Sequence, residues 1–504
     1  MTTNRKGQGG AESRRRFSTN LAHTLTNNAR NRPLHPSIIQ GARTILYRDL
    51  EGVVRRTASW LQSRGVRRGT VVGVALDDTP EHLLVMFALA AMGAIILPMD
   101  CRWTVEEQVR IAERFRASHV LLETGIVWSG KSQAIHYDTA WQEGIEKAAP
   151  LAKLVEGENL PFLLSLSSGT TGLPKGPLVG QEQFSRRFWT HWINMGLNAQ
   201  SRFVSATPLY FGGGRTFALS QIFCGGTVIL FPPPYRPEEL VEEVRWRDGT
   251  ALFLVPTLLR RLLAMEPSQG LLLPSLKLLL SSGSPLHAEE RREIRERISP
   301  HFYEMYATTE GGGVSMLTPE DQVSKGDSVG RAMFGVEIQV VDEENRLLPA
   351  GETGRLRYHT PGSATEFYGD PEKTAEMFQD GWFYPGDYGF LDEEGYLYLK
   401  GRRKDIIIRG GANIYPNEIE EVLLSHPAVA EAAVVGQPSK EMGEEVAAFL
   451  ILKGEATPEA LKTFCRSHLA PYKVPKMVLL VENMPKNSLG KILKQELMKQ
   501  LPSL

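Results

Sequence analysis

A short stretch of small polar residues is suited to holding phosphate groups. Residues 165–176 read Ser-Leu-Ser-Ser-Gly-Thr-Thr-Gly-Leu-Pro-Lys-Gly and follow an apolar run, 162–164, that predicts a short buried strand. Glycine lets backbone approach a ligand closely, and N–H groups, hydroxyls and the Lys175 ammonium can bind phosphate oxygens. The stretch is not a Walker A loop, because Pro174 precedes the lysine and Gly176 follows it. A flexible linker is the alternative, but strand-forming residues and a Pro-Lys pair favour a phosphate site.

The segment from Ser167 to Gly176 resembles the phosphate-binding loop of the adenylate-forming superfamily, which comprises acyl-CoA synthetases, free-standing adenylation domains and luciferases. Five motifs of that family follow in order over roughly residues 25 to 500. The resemblance implies a cradle for the β- and γ-phosphates of ATP. The residues that it assigns to this cradle are Ser167, Ser168, Gly169, Thr170, Thr171, Gly172 and Lys175.

The reaction that this family catalyses brings two anions together, since a carboxylate attacks the α-phosphorus of ATP. Cations and N–H donors must offset that repulsion. Residues 303–310, Tyr-Glu-Met-Tyr-Ala-Thr-Thr-Glu, resemble the family segment that does part of this work, with Ala307 at a usual glycine. The resemblance implies that Tyr306 stacks on adenine, Thr309 binds the α-phosphate and Glu310 holds Mg²⁺. Taken alone, the Thr-Glu pair would indicate only a strand end with a solvated glutamate.

Two further segments resemble the sides of a nucleotide site. Residues 281–285, Ser-Ser-Gly-Ser-Pro, resemble the adenine-side loop, although by themselves they predict only a strand-to-helix turn. Residues 381–389 resemble the ribose-binding segment, with Pro385 where threonine is usual. The resemblance implies that Asp387 accepts hydrogen bonds from both ribose hydroxyls and that Arg402 makes a second ribose or phosphate contact. The residues that it assigns to the adenine side are Gly283, Ser284 and Pro285.

The last hundred residues carry a lysine with a predicted catalytic role. Residues 485–491, Pro-Lys-Asn-Ser-Leu-Gly-Lys, resemble the family segment whose lysine bridges the substrate carboxylate and the α-phosphate, here Lys491. A helix is predicted from Lys491 to Leu501. The glycine pair Gly410 and Gly411 resembles the segment that lines the pantetheine tunnel in CoA-forming members, and Lys404 occupies the hinge position. The catalytic residues are therefore expected to be Lys491, Lys175, Thr309 and Glu310.

The acyl pocket departs from the family pattern. Residues 208–214 read Pro-Leu-Tyr-Phe-Gly-Gly-Gly, and Phe211 stands where histidine is common. The glycines here and at 311–313 predict a roomy, mostly apolar pocket. Arg215 is the only nearby cation for a second substrate carboxylate, but we expect it to face solvent. The predicted pocket residues are Tyr210, Phe211, Gly212, Gly213, Gly283 and Gly311.

The elements that must position these residues alternate between strand and helix. Before the phosphate loop, apolar spacing predicts a helix over 50–66, and a valine-rich strand follows at 70–75. A second helix is opened by Thr79 and Pro80 and closed by Gly93, and a capping box at Thr104 predicts the start of a third. The alternation resumes after the loop, with helices predicted over 237–246 and 288–298. Short strands with turn residues follow residue 329, and a further helix is predicted over 458–468. We predict an α/β protein: a large domain of parallel α/β sheets with a β-rich subdomain, and a small, mobile α+β domain, as in acyl-CoA synthetases.

A chain of 504 residues is too long for one core. We expect a disordered basic tail over 1–20, a large adenylation domain over 21–401 and a small cap domain over 402–504. The uncharged run 83–99 is too short to span a bilayer and predicts a buried helix followed by a strand. A net charge of −1 argues against nucleic acid, and three isolated cysteines fit a cytoplasmic protein without a metal cluster. No coiled-coil seam or repeat decides whether the protein is a homodimer.

The combined prediction is an ATP-dependent carboxylic acid–CoA ligase that uses ATP, Mg²⁺ and CoA. It forms an acyl-adenylate with release of pyrophosphate and then transfers the acyl group to CoA with release of AMP. The expected substrate is a medium- or long-chain or alicyclic monocarboxylic acid, as in fatty acid metabolism. The alternatives are an aryl-acid CoA ligase, a ligase that loads a carrier protein and a luciferase-like oxidative enzyme. A nucleotide-binding protein without catalysis is the alternative from another class, prompted by Phe211 and Pro385.

Overall fold

The structure of the protein is a computed structural model that describes residues 20–166, 174–267, 269–284, 286–410, 412–486 and 490–501. The predicted phosphate-loop residues Ser167, Ser168, Gly169, Thr170, Thr171 and Gly172, together with Pro285, Gly411 and residues 1–19 of the predicted tail, lie outside the described residues.

Strands of the described residues fall into four sheets. In chain order they are β1 to β27: Pro36–Gln40, Arg43–Leu46, Val71–Ala75, Ile95–Pro98, His119–Glu123, Gln133–Tyr137, Pro161–Leu164, Pro177–Gly180, Arg202–Ser205, Thr227–Leu230, Ala251–Leu254, Leu278–Ser281, Phe302–Thr308, Gly312–Leu317, Arg331–Ala332, Glu337–Val341, Gly354–His359, Glu366–Phe367, Phe378–Gln379, Trp382–Phe383, Asp387–Leu391, Leu397–Arg402, Ile407–Arg409, Ala412–Ile414, Val429–Ser439, Gly443–Leu452 and Met477–Leu480.

Helices of the described residues connect and cover these strands. In chain order they are α1 to α15: His23–Asn31, Tyr47–Ser63, Pro80–Met92, Val105–Arg114, Thr139–Lys147, Gln181–Met195, Gly212–Phe223, Pro237–Trp246, Pro256–Leu263, Ala288–Glu293, Asp321–Ser324, Pro371–Met377, Pro416–Leu424, Pro458–His468 and Lys494–Met498. A π-helix, Ile294–Ile298, continues α10, and 3₁₀ segments lie at Arg403–Asp405 and Pro471–Lys473.

Two mostly parallel sheets form the large lobe. One has nine strands in the order β15-β14-β13-β12-β11-β9-β10-β1-β2, and the other has seven in the order β18-β8-β7-β4-β3-β5-β6. Alternate residues of their strands enter separate cores. In β3, Val72 and Val74 pack with α2 and α3, whereas Val71 and Ala75 pack with α4. Both faces of the sheet are therefore covered, as expected for parallel strands.

Helix α3 is buried on nearly every side, which explains the long uncharged run in the sequence. All of its residues except Glu81 are buried. It ends at Gly93, which adopts the left-handed conformation with φ +66°. Thr79 stands at the N-cap and Pro80 in the first turn, as predicted, although the Thr79 side chain makes no capping hydrogen bond. The Thr104 capping box is present.

Two smaller sheets complete the fold. A six-stranded sheet, in the order β19-β20-β17-β21-β22 with β16 paired to β17, forms the β-rich part of the large lobe. The last sheet has the order β24-β23-β26-β25 with β27 paired to β26, and α13 and α14 pack on it. We call this sheet with its helices the cap. The 3₁₀ segment Arg403–Asp405 joins the end of β22 to the start of β23.

Candidate functional site

The predicted site segments leave the carboxyl ends of neighbouring strands. In the nine-stranded sheet, β11, β12 and β13 run parallel, with Leu254 opposite Ser281 and Ser281 opposite Glu304. The segments that begin at Ser282 and at Thr309 therefore emerge at the same edge of the sheet. The segment 207–213 follows β9, which is parallel to β11, and reaches this edge too. Ligands of open α/β sheets bind at such edges.

Lys175 lies beside aromatic and sulfur-containing side chains near the start of β8. Its Nζ is 5.9 Å from the centre of the Phe367 ring and 3.8 Å from Met377 Sδ. Burial and the charge of Lys373 lower the pKa of Lys175, while nearby Glu310 raises it. The charge of the glutamate that was predicted to bind the metal thus acts on this amine.

Thr309 and Glu310 form the turn between β13 and β14. Glu310 is only 9% exposed. Its carbonyl oxygen accepts a hydrogen bond of 2.7 Å from Arg187 Nη2, which also donates to Thr309 O over 3.3 Å. Arg187 Nε donates to Gly362 O over 2.8 Å. One buried guanidinium therefore fixes the backbone of the turn to a neighbouring loop.

Arg187 is a residue that the sequence analysis missed. It stands on α6 between Phe184 and Phe188, which are both buried. Residues three and four positions apart share a helix face, so position 187 falls on the apolar face of α6. A charged residue at a position that must be buried is the signal that could have identified it. Burial lowers the pKa of Arg187, but a guanidinium stays protonated at neutral pH.

Asp387 is the centre of a hydrogen-bonded group on the ribose side. It is 5% exposed and lies at the start of β21, opposite Arg402 at the end of β22. Its Oδ1 accepts from Arg402 Nε over 3.0 Å, and its Oδ2 accepts from the Tyr306 hydroxyl. Burial and the Asp387 charge hold the pKa of Tyr306 well above its ordinary value, so the phenol stays a donor. Tyr306, Asp387 and Arg402 are therefore assembled, while their contacts with ATP stay predictions.

Lys491 comes from the cap and reaches the large lobe. The preceding Gly490 has φ +79° and lies so close to Thr257, at the start of α9, that a Cβ would overlap the threonine hydroxyl. Lys491 stays open to solvent in the cleft, but burial of its amine end and the cations Arg402 and Lys404 lower its pKa to about 8. The charge of Asp387 acts in the opposite direction.

The predicted helix over 491–501 is wrong at its start. Ile492 forms an isolated bridge with Lys486, and the helix runs only from Lys494 to Met498. Lys491 therefore lies outside the helix, between Gly490, which has a positive φ, and the bridge at Ile492. The segment that precedes the helix, rather than the helix itself, presents the lysine.

We call the region between the four key side chains the cleft, because their charges act on one another and on shared neighbours. The pKa of Lys175 responds to the charges of Glu310 and Lys404. The pKa of Lys491 responds to the charges of Lys404 and Asp387. The pKa of Arg402 responds to the charges of Asp387 and Glu310. Lys404 itself is exposed on the 3₁₀ segment between the two lobes, at the place expected of a hinge. Gly410 donates to Met442 O over 2.8 Å within the cap.

The acyl side is more tightly filled than predicted. A Cβ at Gly213 would overlap the Phe253 ring and lie 3.1 Å from the Phe211 ring. A Cβ at Gly311 would lie 2.6 Å from the Tyr358 ring. The expectation that these glycines leave empty space is therefore wrong, because aromatic side chains occupy it. Positions 212 and 283 do have open space, since a Cβ there would meet no atom within 4 Å.

Two residues beside the predicted pocket have fixed partners. The Tyr210 hydroxyl accepts from Arg102 Nη2 over 3.2 Å. Arg215 does not face solvent as expected: it is 1% exposed and donates to Tyr210 O over 2.6 Å and to Ser165 Oγ over 3.3 Å. The arginine faces inward because it satisfies carbonyl groups of the turn that precedes α7.

A magnesium ion would find one carboxylate here. Among the described residues, no group of three or more His, Cys, Asp or Glu side chains could enclose a metal. Mg²⁺ commonly takes one or two carboxylates and completes its shell with waters and substrate phosphates. Glu310, almost buried and close to Lys175, fits that pattern. No helix among the described residues is both long and apolar enough to cross a bilayer.

Residues 25–368 match the family described as AMP-binding enzyme, and residues 418–491 match the AMP-binding enzyme C-terminal domain. The chain belongs to the family of AMP-binding enzymes. The predicted membership of the adenylate-forming superfamily is thus confirmed.

Relatives of this family match over most of the chain. A fatty acid–[acyl-carrier-protein] ligase, ScoC, of Streptomyces coeruleorubidus is 30% identical over 95% of this chain and 95% of the relative. A 2-succinylbenzoate–CoA ligase of Bacillus cereus (strain Q1) is 31% identical over 86% of this chain and 89% of the relative. The solved O-succinylbenzoate coenzyme A synthetase (MenE) from Bacillus subtilis, in complex with ATP and magnesium ion, has a TM-score of 0.85 at 27% identity, covering 94% of this chain and 98% of that one. The predicted fold class and enzyme class, an AMP-forming acid–thiol ligase, are confirmed.

Proposed function

We propose that the protein activates an apolar carboxylic acid with ATP and transfers the acyl group to the thiol of CoA. In the first step a carboxylate oxygen attacks the α-phosphorus and pyrophosphate leaves, and in the second the CoA sulfur attacks the acyl carbonyl and AMP leaves. The observation that supports the proposal is that Gly490 lies against Thr257 of the large lobe, while the charges of Arg402 and Asp387 act on the adjacent Lys491 amine.

The charges of the cleft suit the first step. Lys491 and Lys175 would offset the repulsion between the attacking carboxylate and the phosphates, since both amines lie within range of the Lys404 charge. Asp387, fixed by Tyr306 and Arg402, has acceptor positions left for ribose hydroxyls. A magnesium ion at Glu310 would supply further charge neutralisation on the departing pyrophosphate.

The acyl substrate is proposed to be a monocarboxylic acid with a bulky apolar body, either medium- or long-chain or alicyclic. Phe211 borders a cluster of aromatic and methionine side chains that includes Phe253, Met305 and Met333. Methionine and aromatic side chains adapt to apolar groups of varied shape. Aryl acids are the second choice, supported by the relative that acts on 2-succinylbenzoate.

A carrier-protein thiol is the second candidate acceptor, since the Streptomyces relative is named a ligase of an acyl-carrier protein.

We also propose a cytoplasmic location. Cys101, Cys224 and Cys465 are free thiols, which fits a reducing compartment.

A panel of fatty, alicyclic and aryl acids with ATP and Mg²⁺, analysed by mass for acyl-AMP, identifies the acid. Adding CoA or a phosphopantetheinylated carrier protein then identifies the acceptor.

The role of Lys491 is tested by Lys491→Ala, which we expect to lower acid-dependent pyrophosphate release by at least about 100-fold with ATP binding retained. Lys499→Ala is the matched control, because Lys499 directly follows α15, is 70% exposed and pairs with Glu496 over 2.7 Å. Unchanged pyrophosphate release in Lys491→Ala would contradict the proposal.

The same lysine predicts a pH dependence. Only the protonated amine carries a positive charge, so with a pKa of about 8 the rate of adenylation should fall as pH rises above that value. Lys491→Arg keeps its charge at higher pH and should move this alkaline decline upward in any activity that remains. An unmoved decline in an active Lys491→Arg enzyme would assign it to another group.

A further inference from the structure

A second cavity lies in the large lobe between α2, α3 and α5. Its volume is about 320 Å³, and it shares no residue with the candidate site described above. That volume is within the range of small-molecule sites, roughly 300–1,000 Å³. Apolar side chains form much of its wall, among them Val53, Leu84, Val85, Trp141 and Ile145. A hydrocarbon group would therefore find a matching surface.

A single arginine gives this cavity an unmatched positive charge. Arg56 lines it, and Arg56 Nε is buried without a hydrogen-bond partner in the described part of the chain. The guanidinium folds back over Gly52, where a Cβ would lie 3.5 Å from Arg56 Nη1. A buried N–H group without a partner costs free energy, so a ligand that accepts from it is favoured.

Two of the three carboxylates that line the cavity have cations of their own. Glu81 pairs with Arg43 at 2.5 Å, and Asp49 lies 3.6 Å from Arg48. The third, Glu146, is exposed to solvent, and its neighbour Lys147 pairs with Glu143. No carboxylate of the described residues forms an ion pair with Arg56, so the partner that its guanidinium lacks is an anion.

We propose that this cavity is a binding site for an amphipathic carboxylic acid. The carboxylate accepts hydrogen bonds from the Arg56 guanidinium, and the hydrocarbon part packs against Val53, Leu84 and Trp141. The inference does not depend on the proposed catalytic function, because neither the cavity nor Arg56 takes part in the adenylate cleft.

Octanoate is a suitable probe, since it joins one carboxylate to an unbranched hydrocarbon chain. Isothermal titration of the full-length protein with octanoate, in the absence of ATP, should give binding that Arg56→Met weakens about tenfold or more. Methionine keeps an unbranched apolar stem and removes the cation. Arg186→Met is the matched control, because Arg186 is 41% exposed, pairs with Glu182 on α6 and does not line this cavity. It should leave octanoate affinity unchanged.

A second variant tests the apolar half of the site and serves if Arg56→Met does not fold. Val53→Phe places a ring in the cavity while Arg56 is kept, and it should abolish octanoate binding. Equal octanoate affinity in wild type, Arg56→Met and Val53→Phe would place the acid elsewhere and overturn the proposal. An absence of binding to wild type up to about 10 mM octanoate would overturn it as well.

Discussion

Replacing Arg187 by methionine should both destabilise the protein and impair its use of ATP. The side chain is 6% exposed and makes two short hydrogen bonds, to Glu310 O and Gly362 O, and a longer one to Thr309 O. Methionine fills similar space but removes all three hydrogen bonds. Glu310 O keeps a hydrogen bond of 2.8 Å from Ala364 N, whereas Thr309 O and Gly362 O lose the donor that Arg187 supplied. At about 1–3 kcal/mol for each of these two buried groups, the free energy of unfolding should fall by about 2–6 kcal/mol.

The catalytic consequence follows from the position of the turn. Because Arg187 holds the backbone of Thr309 and Glu310, its loss lets the predicted metal-binding carboxylate move. A misplacement near 1 Å can lower a rate about 100-fold. We therefore expect a higher KM for MgATP together with a lower kcat in pyrophosphate release, and a higher Mg²⁺ concentration at half-maximal rate.

The neighbouring arginine provides the control. Arg186 lies on the same helix, but it is 41% exposed and pairs with Glu182 at 2.5 Å. Arg186→Met should change the free energy of unfolding by at most about 1 kcal/mol and leave the Mg²⁺ requirement alone. Urea unfolding and a pyrophosphate assay at varied Mg²⁺ measure both effects. If Arg187→Met matched Arg186→Met in both, the assignment of Arg187 to the turn would be refuted.

Two further predictions concern the acyl side. Gly213→Ala should lower kcat/KM for bulky acids about tenfold or more, since the new Cβ overlaps the Phe253 ring. Gly212→Ala is the control, because position 212 has open space around it, and it should keep activity within about twofold. Equal effects of the two variants on acid-dependent pyrophosphate release would refute this prediction. Burial raises the pKa of Asp78 to about 6, so the folded state binds its proton more tightly than the unfolded state does and stability falls as pH rises from about 4 to 6. The amide oxygen of Asp78→Asn can still accept a hydrogen bond from Leu209 N. In urea unfolding this variant should raise the free energy of unfolding by about 2 kcal/mol at pH 8 and by less at pH 4. An equal change at both pH values would contradict the prediction.

Local sequence signals predict elements well where one physical cause dominates. The helices Pro237–Trp246 and Pro458–His468 have the predicted bounds, because each begins with a proline in its first turn and keeps helical spacing to its end. The helix expected over 288–298 becomes a π-helix at Ile294, a change of hydrogen-bond register that periodicity does not encode. At the C-terminus, Gly490 and the bridge between Ile492 and Lys486 override helical spacing.

The candidate site was predictable to the extent that its residues lie in contiguous motifs. Lys175, Glu310, Asp387 and Lys491 were each predicted from short segments, and in the structure their charges act on one another or on shared neighbours. Contacts between distant segments were not visible. Arg215 was expected in solvent, because nothing in its neighbourhood announces that the carbonyl of Tyr210 needs a donor.

The segment Arg403–Asp405 has a consequence for how the cap acts. A tether of three residues cannot let the cap diffuse away, so the amine of Lys491 is presented to the cleft at an effective concentration of the order of millimolar or higher. An amine free in solution would have to reach such concentrations to replace it. Lengthening the tether would dilute the lysine at its target without altering a single contact inside either lobe.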